Sequence, residues 1–367
     1  MSVPDTKKTP LAEVHDELGA TVTEFAGYLM PLRYGSETAE HQAVRTSAGL
    51  FDLSHMGEIF LTGPQAGEAL DHALIGHLSA LAVGRARYTM ICNPEGGVLD
   101  DLIVYRLAAE TFMVVANAAN AATVRSELVK RSEGYEGATL DDRSDSYALV
   151  AVQGPKAQAI LSKLTDAAVA DLRYYAILPG AVAGVEALIA RTGYTGEDGF
   201  EVFVAAADAV PVWRAIAETG GDDLRPCGLS ARDTLRLEAG MPLYGNELTT
   251  ETTPYDAGLG RTIKFDKGDF VGRAALAALA DRTPERTLIG LVAKGRRVPR
   301  HGYQIVGSDG TPCGVVTSGA PSPTLGKPIA MGYIDAGHAE DTDLTVDIRG
   351  KHEPVDKVAL PFYRRTP

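Results

Sequence analysis

The chain has 367 residues, of which 45% are hydrophobic, 23% charged and 7% aromatic. That is an ordinary globular composition, long enough for two or three domains with real cores, and it excludes disorder, collagen and coiled coil. Its 48 acidic residues against 35 basic ones give a formal net charge of −13, a field that opposes binding to nucleic acid or an anionic membrane, since both are polyanions.

The opening segment lacks the apolar core of a signal peptide, and its acids at Asp5, Glu13 and Asp16 argue against a transit peptide. No apolar run approaches the ~20 residues of a membrane helix. Cys92, Cys227 and Cys313 are odd in number and widely spread, so neither a disulfide framework nor a cysteine metal site is supported. The expectation is a reduced, cytoplasmic protein. GxGxxG, HExxH and GxSxG motifs are all missing, and Gly319–Lys327 has six residues between its glycines where a P-loop has four. The chemistry is therefore expected to use no metal, no nucleotide and no covalent nucleophile.

The first strong element is Glu58-Ile-Phe-Leu-Thr-Gly-Pro-Gln-Ala, a strand running into Gly-Pro and then a helical pattern through Leu70, Leu74 and Leu78. Tyr147-Ala-Leu-Val-Ala-Val-Gln-Gly-Pro-Lys-Ala repeats it, followed by Ile160, Leu161 and Leu164. Proline suits the first helical position, where a missing N–H costs nothing. The echo suggests two related βαβ-type halves of an α+β fold.

Between these, Val98–Leu107 and Thr111–Asn117 read as strands joined at Ala108-Ala-Glu110. A hairpin centred on Ala109 opposes Asp101 to Asn117, Ile103 to Val115 and Tyr105 to Met113 on one face. Asp100 then points to the other face with Arg106. Aspartate is out of place on a strand by propensity. One carboxylate in a cleft, oriented by Asn117, would serve as a base or as an acceptor for a substrate amine.

Gly193-Tyr-Thr-Gly-Glu-Asp-Gly-Phe-Glu-Val-Phe-Val is a glycine-punctuated turn entering a strand, with Glu201 and Phe203 on one face. The two acceptors of Glu201 suit a planar, amidine-like N–H edge. Ser230-Ala-Arg-Asp-Thr-Leu-Arg-Leu-Glu begins like a capping box, and Arg232 and Arg236 at i, i+4 share a helix face able to grip a carboxylate or a carbonyl-rich ring. Past the linker-like Asp281–Arg286, short β-type runs at Leu288–Val292, Tyr303–Val306, Gly314–Thr317 and Leu344–Ile348 suggest a small antiparallel barrel or sandwich.

Further stretches join these: Thr9-Pro-Leu11 with His15, Phe25-Ala-Gly27 with Met30-Pro31, Glu40-His-Gln-Ala-Val-Arg45, and Gly49-Leu-Phe-Asp-Leu-Ser-His-Met-Gly-Glu58. With Asp100-Asp-Leu-Ile-Val104, Gly193–Gly199, Ala231-Arg-Asp-Thr-Leu-Arg-Leu-Glu-Ala-Gly240 and Leu243-Tyr-Gly-Asn246, the ordered set resembles the aminomethyltransferase (T-protein) family of the glycine cleavage system over nearly the whole chain. A related folate-binding family that serves iron–sulfur enzymes carries a Lys-Gly-Cys-Tyr type motif, where this chain has Thr192-Gly-Tyr-Thr.

The resemblance implies an α+β, multi-domain cloverleaf around a central folate site, with a C-terminal antiparallel β-barrel. Residues 1–280 would form the folate-binding region, as two interleaved α+β domains, and 286–367 the barrel. It implies transfer of a one-carbon unit from the aminomethyl-lipoyl arm of a partner, the lipoylated H-protein, to tetrahydrofolate as acceptor substrate. Ammonia leaves and 5,10-methylenetetrahydrofolate forms. The family's essential carboxylate falls on Asp101, and its folate positions on Met56, Tyr88, Tyr105, Val115, Asn117, Tyr194, Glu201, Arg232 and Arg364. Because H-protein is expected to be acidic like this chain, the basic run Lys294-Gly-Arg-Arg-Val-Pro-Arg300 is the candidate docking surface.

Overall fold

A computed structural model describes residues 6–366; the leader reading at Asp5 lies outside the described residues. A small sheet opens the chain: β1 (Lys7–Lys8), β2 (Thr21–Phe25) and the central β3 (Tyr28–Arg33), with α1 (Ala12–Glu17) following β1. Then come α2 (Glu37–Thr46) and β4 (Ala48–Asp52).

One pattern now occurs twice. The first pass is β5 (Gly57–Thr62), α3 (Ala66–Ala73), a meander of β6 (Ala86–Cys92), β7 (Val98–Ala108) and β8 (Thr111–Ala116), then α4 (Ala121–Arg131) and β9 (Thr139–Asp142). The second is β10 (Tyr147–Gln153), α5 (Ala157–Leu161), β11 (Ile177–Val182), β12 (Val185–Ala190), β13 (Gly199–Ala205), α6 (Ala209–Gly220) and β14 (Leu224–Pro226). The sheet orders match over four strands, β6-β7-β8-β5 and β11-β12-β13-β10; β9 then extends the first sheet, and β4 and β14 the second. In each, the last meander strand returns antiparallel to the strand that entered the helix, β8 on β5 and β13 on β10. The sequence echo is thus a structural repeat, built as an antiparallel meander rather than a parallel βαβ crossover.

At both Gly-Pro turns the helix starts two residues later than expected, at Ala66 and Ala157. Gly63 and Gly154 hold φ of 109° and 131°, a region that favours glycine, and each carbonyl accepts from the first helical N–H at 3.0 Å. A Cβ on Gly154 would lie 2.5 Å from the Ser47 carbonyl oxygen. The short helices end before Leu74, Leu78 and Leu164, although Leu74 and Leu78 are still buried.

After α7 (Leu229–Glu238) and α8 (Arg273–Leu279) the chain closes a barrel of β15 (Arg286–Ala293), β16 (Gln304–Val306), β17 (Pro312–Ser322), β18 (Lys327–Asp335), β19 (Leu344–Asp347) and β20 (His352–Val358). Closure removes every sheet edge. Leu291, Ile305, Val316, Ile334, Val346 and Val355 fill the barrel core. The rejected P-loop stretch is the β17–β18 hairpin.

The chain packs as two compact units: residues up to Ala73, His77–Tyr88 and Leu102–Arg232, and then Leu74–Gly76, Thr89–Asp101 and the remainder from Asp233. In the first unit Leu50, Val150, Val202, Trp213 and Ile216 share one apolar core. The three cysteines are buried and none forms a disulfide. Among the described residues no helix is long and apolar enough to cross a membrane.

Candidate functional site

The hairpin has the expected register: Ile103 opposes Val115, Val104 opposes Val114 and Tyr105 opposes Met113, with a shift between Arg106 and Ala108 at the turn. Burial alternates along β7. Val98, Asp100, Leu102 and Val104 are buried, whereas Leu99, Asp101 and Ile103 are partly open. Asp100 is 0% exposed. The two adjacent carboxylates thus differ in environment as strand alternation requires. β8 ends at Ala116, one residue before the partly open Asn117.

Glu201 lies on β13, opposite Ala151 of β10 and Ala190 of β12, and is 8% exposed. Its oxygen Oε2 accepts from the Thr192 hydroxyl and, at 3.3 Å, from the Tyr105 hydroxyl. Tyr105 and Thr192 share a further bond of 2.9 Å, and the Tyr105 ring meets Phe203 edge-on at 5.8 Å. All the hydrogen bonds to this carboxylate among the described residues fall on Oε2, and none on Oε1. Burial pushes the Glu201 carboxyl up, while Thr192, Arg232 and Tyr105 oppose that by favouring the ionised form.

The glycine-punctuated loop before Glu201 is pinned from below by Gln153. Its amide nitrogen donates to the Thr192 carbonyl at 3.0 Å, and its oxygen accepts from the Thr195 hydroxyl at 2.9 Å. A Cβ on Gly193 or Gly199 would come within 2.0 and 2.5 Å of that side chain, so the glycine spacing is set by close approach. The Arg191 guanidinium grips Asp198 at 2.9 and 2.7 Å, and Arg45 binds the Thr195 carbonyl and Glu197 at 2.7 and 2.9 Å. Gln153, Thr192 and Arg45 were not among the expected site residues. Each nevertheless lies in a stretch that the sequence singled out, Arg45 in Glu40–Arg45, Gln153 before its Gly-Pro and Thr192 before the glycine loop.

The two helix arginines divide their roles. Arg232 lies over the Tyr194 ring at 4.8 Å, a cation–π contact. Arg236 is 1% exposed and bound to Asp233, Glu247 and Ser318 at 2.9, 2.9 and 2.8 Å; it is a structural group and grips no ligand. The expected capping box is also displaced, because α7 begins at Leu229 and Ser230 lies inside it. Gly228 precedes the helix, where a Cβ would sit 2.3 Å from the Leu32 carbonyl oxygen.

Met56 lines a cavity of about 530 Å³ with Tyr28, His55, Ala118, Ala121 and Arg125. Burial, then Arg232, lowers the His55 pKa to about 4, so that imidazole is neutral at physiological pH. Val115 is buried and Tyr88 partly open. In the second unit, Asp101 ends the segment Thr89–Asp101 and Arg364 is exposed in the C-terminal tail. The first unit thus joins Tyr105 to Glu201 and Arg232 to Tyr194 by direct contact.

Comparison with known proteins gives a consistent set. Residues 11–267 match the family described as the GCVT N-terminal domain, and 286–364 the glycine cleavage T-protein C-terminal barrel domain. The chain is 63% identical over 362 residues to an aminomethyltransferase of Saccharopolyspora erythraea, covering 98% of each, and 62% identical over 372 residues to one of Streptomyces coelicolor, covering 100% of each. The crystal structure of glycine cleavage system aminomethyltransferase T from Bartonella henselae superposes with a TM-score of 0.91 at 36% identity, covering 98% of both chains.

Proposed function

Because this chain belongs to the aminomethyltransferase (glycine cleavage T-protein) family, we propose that its first unit holds the pterin of tetrahydrofolate at Glu201 and that its donor is a lipoylated H-protein. The enzyme is a transferase of the glycine cleavage system and moves the aminomethyl one-carbon unit to tetrahydrofolate.

The observation that carries the pterin assignment is the Glu201 carboxylate. One oxygen is held by Thr192 and Tyr105, and the other is unengaged among the described residues. Two acceptors on a planar group suit the adjacent 2-amino and N3–H donors of the pterin. In this reading Arg232, fixed over Tyr194, donates to the neighbouring ring carbonyl. Tyr105, Val115, Tyr88, Tyr194 and Met56 hold the apolar body, and Asn117 and Arg364 complete the folate contacts.

The reacting nitrogens N5 and N10 are weakly basic amines, so no strong acid has to be deprotonated. The protein positions the two substrates and stabilises positive charge as ammonia leaves and an iminium-like carbon develops. Asp101 supplies that negative charge and orients N10. We further propose residues 1–280 as the folate-binding region and 286–367 as the barrel domain. In the basic run Lys294–Arg300, Lys294 pairs with Asp356 at 3.1 Å and Arg297 faces Glu353 at 3.6 Å. The H-protein contact there therefore centres on the exposed Arg296.

Tetrahydrofolate should stabilise the fold by about 2.7 kcal/mol at 100 times its Kd. Glu201→Gln puts an amide donor against a ligand donor and should weaken binding by about 10-fold or more. A titration that follows the melting temperature against tetrahydrofolate concentration checks both. No shift in the wild type removes the folate site, and equal affinity in the variant moves the pterin edge elsewhere.

A further inference from the structure

Glu58 is the second residue of β5 and is 1% exposed, yet neither carboxyl oxygen has a hydrogen-bond partner among the described residues. An unpaired buried polar group costs about 1–3 kcal/mol, so its retention calls for a partner outside the chain. The ladders fix where the side chain sits. Glu58 opposes Val115, which opposes Ile103; one step further on the same face, Phe60 and Tyr105 both oppose Met113. Glu58 therefore shares a sheet face with Val115 and with Tyr105, the residue that binds Glu201.

The charged surroundings decide its protonation. Burial first, then the acidic Asp142 on β9 and Glu201 on β13, hold the Glu58 carboxyl well above the usual carboxylate range. Among the described residues no cation offsets this by direct contact. Arg143 gives only its backbone N–H, to the Glu58 carbonyl, while its guanidinium sits on Asp141 and over the Phe60 ring. Arg125 faces Asp142 at 3.5 Å, β8 carries no titratable side chain, and His55 is neutral. Burial and these neighbours favour the protonated form of Glu58, a carboxylic acid with one donor and one acceptor to offer.

We propose that Glu58 is a second recognition residue for the tetrahydrofolate heterocycle, donating its O–H to a ring acceptor and accepting a ring N–H. This rests on the folate reading above. The reduced pterin presents acceptor and donor atoms side by side, which a neutral acid matches and a carboxylate does not. The two carboxyls then divide the work: Glu201, whose ionised form Thr192, Arg232 and Tyr105 favour, meets the donor-only edge, and Glu58 meets a mixed edge.

The test is the Kd for tetrahydrofolate between about pH 6 and pH 9, a span that brackets the titration of documented buried glutamates, for the wild type, Glu58→Gln and Glu58→Leu. Ionisation removes the donor and adds a second negative charge beside Glu201, so wild-type affinity should fall as pH rises through the Glu58 titration. Glu58→Gln, which stays neutral and keeps a donor and an acceptor, should bind within about 3-fold of the wild type at the acidic end and lose that pH dependence. Glu58→Leu should lose about 10-fold or more, a loss of about 1.4 kcal/mol, with a melting temperature no lower than wild type because an unpaired buried acid is gone. If Glu58→Leu binds like the wild type at every pH while Glu201→Gln binds weakly, this inference is wrong and the folate reading stands. If the wild type binds no tetrahydrofolate, the folate reading fails first. Should Glu58→Leu not fold, the Gln profile decides: a slope unchanged from wild type overturns the role of Glu58.

Discussion

Replacing Asp101 with asparagine is expected to lower kcat by ~10²-fold or more, about 2.7 kcal/mol of transition-state stabilisation, with the folate Kd changed far less. The substitution keeps the side chain's shape, removes the charge and turns one acceptor oxygen into a donor. That charge matters most when the transferring carbon and its nitrogen are cationic, so the loss falls on the chemical step. The neighbouring carboxylate provides the control. Asp100 is 0% exposed, with Val98, Leu102 and Val104 on the inner face of β7, whereas Asp101 is partly open with Ile103. Asp100 also adds to the raised Tyr244 pKa, after burial, which places it near Tyr244 within the second unit. Asp100→Asn should therefore act on the melting temperature and leave turnover of the folded fraction nearly intact. Single-turnover transfer from aminomethylated H-protein, run on both variants beside their melting curves, separates the two. A dead Asp100→Asn with an active Asp101→Asn would reverse the assignment.

The second large effect is on stability. Glu247→Ala should cost the second unit about 3–5 kcal/mol, because it removes the buried counter-charge of Arg236 and leaves the guanidinium only the half-exposed Asp233. The pair is 0% and 1% exposed, 2.9 Å apart, and fully tied in. Glu247 also accepts from the Leu243 N–H at 2.9 Å and the Thr317 hydroxyl at 2.6 Å, and its carbonyl accepts from Tyr333 at 2.7 Å. Arg236 donates in turn to Ser318 and, at 3.2 Å, to the Met241 carbonyl. Urea unfolding measures the loss. A cost below about 1 kcal/mol would mean that water reaches the guanidinium and that the pair behaves like a surface bridge. The double replacement Arg236→Met with Glu247→Leu should recover much of the stability, since it removes both charges together.

How far the sequence revealed these features depended on whether the signal was local. The hairpin register was legible because two β-type runs, Val98–Leu107 and Thr111–Ala116, flank a short turn, and a period of two leaves only one face for Tyr105, Ile103 and Asp101. The barrel was legible in β15, β16, β17 and β19 but not in β18 or β20. β18 contains Pro328 and Gly332 and is buried on both faces from Pro328 to Ile334, so it shows no alternation to read. In β20, Glu353 and Pro354 look like loop chemistry, although Glu353 and Val355 point inward. Arg236 read as one of two gripping arginines because helix spacing gives a shared face but cannot say which face is buried, or against what. Glu58 left no mark at all. A glutamate opening a strand is ordinary, and its isolation follows from β8, β9 and β13, which approach it only in the fold.

The most direct measurement is ammonia release from aminomethylated H-protein, with and without tetrahydrofolate, with 5,10-methylenetetrahydrofolate followed in the same reaction. Release that depends on tetrahydrofolate and matches the methylene product one for one is the expected result. Release at the same rate without folate, or no release from aminomethylated H-protein with folate present, would contradict transfer to tetrahydrofolate as the reaction of this chain.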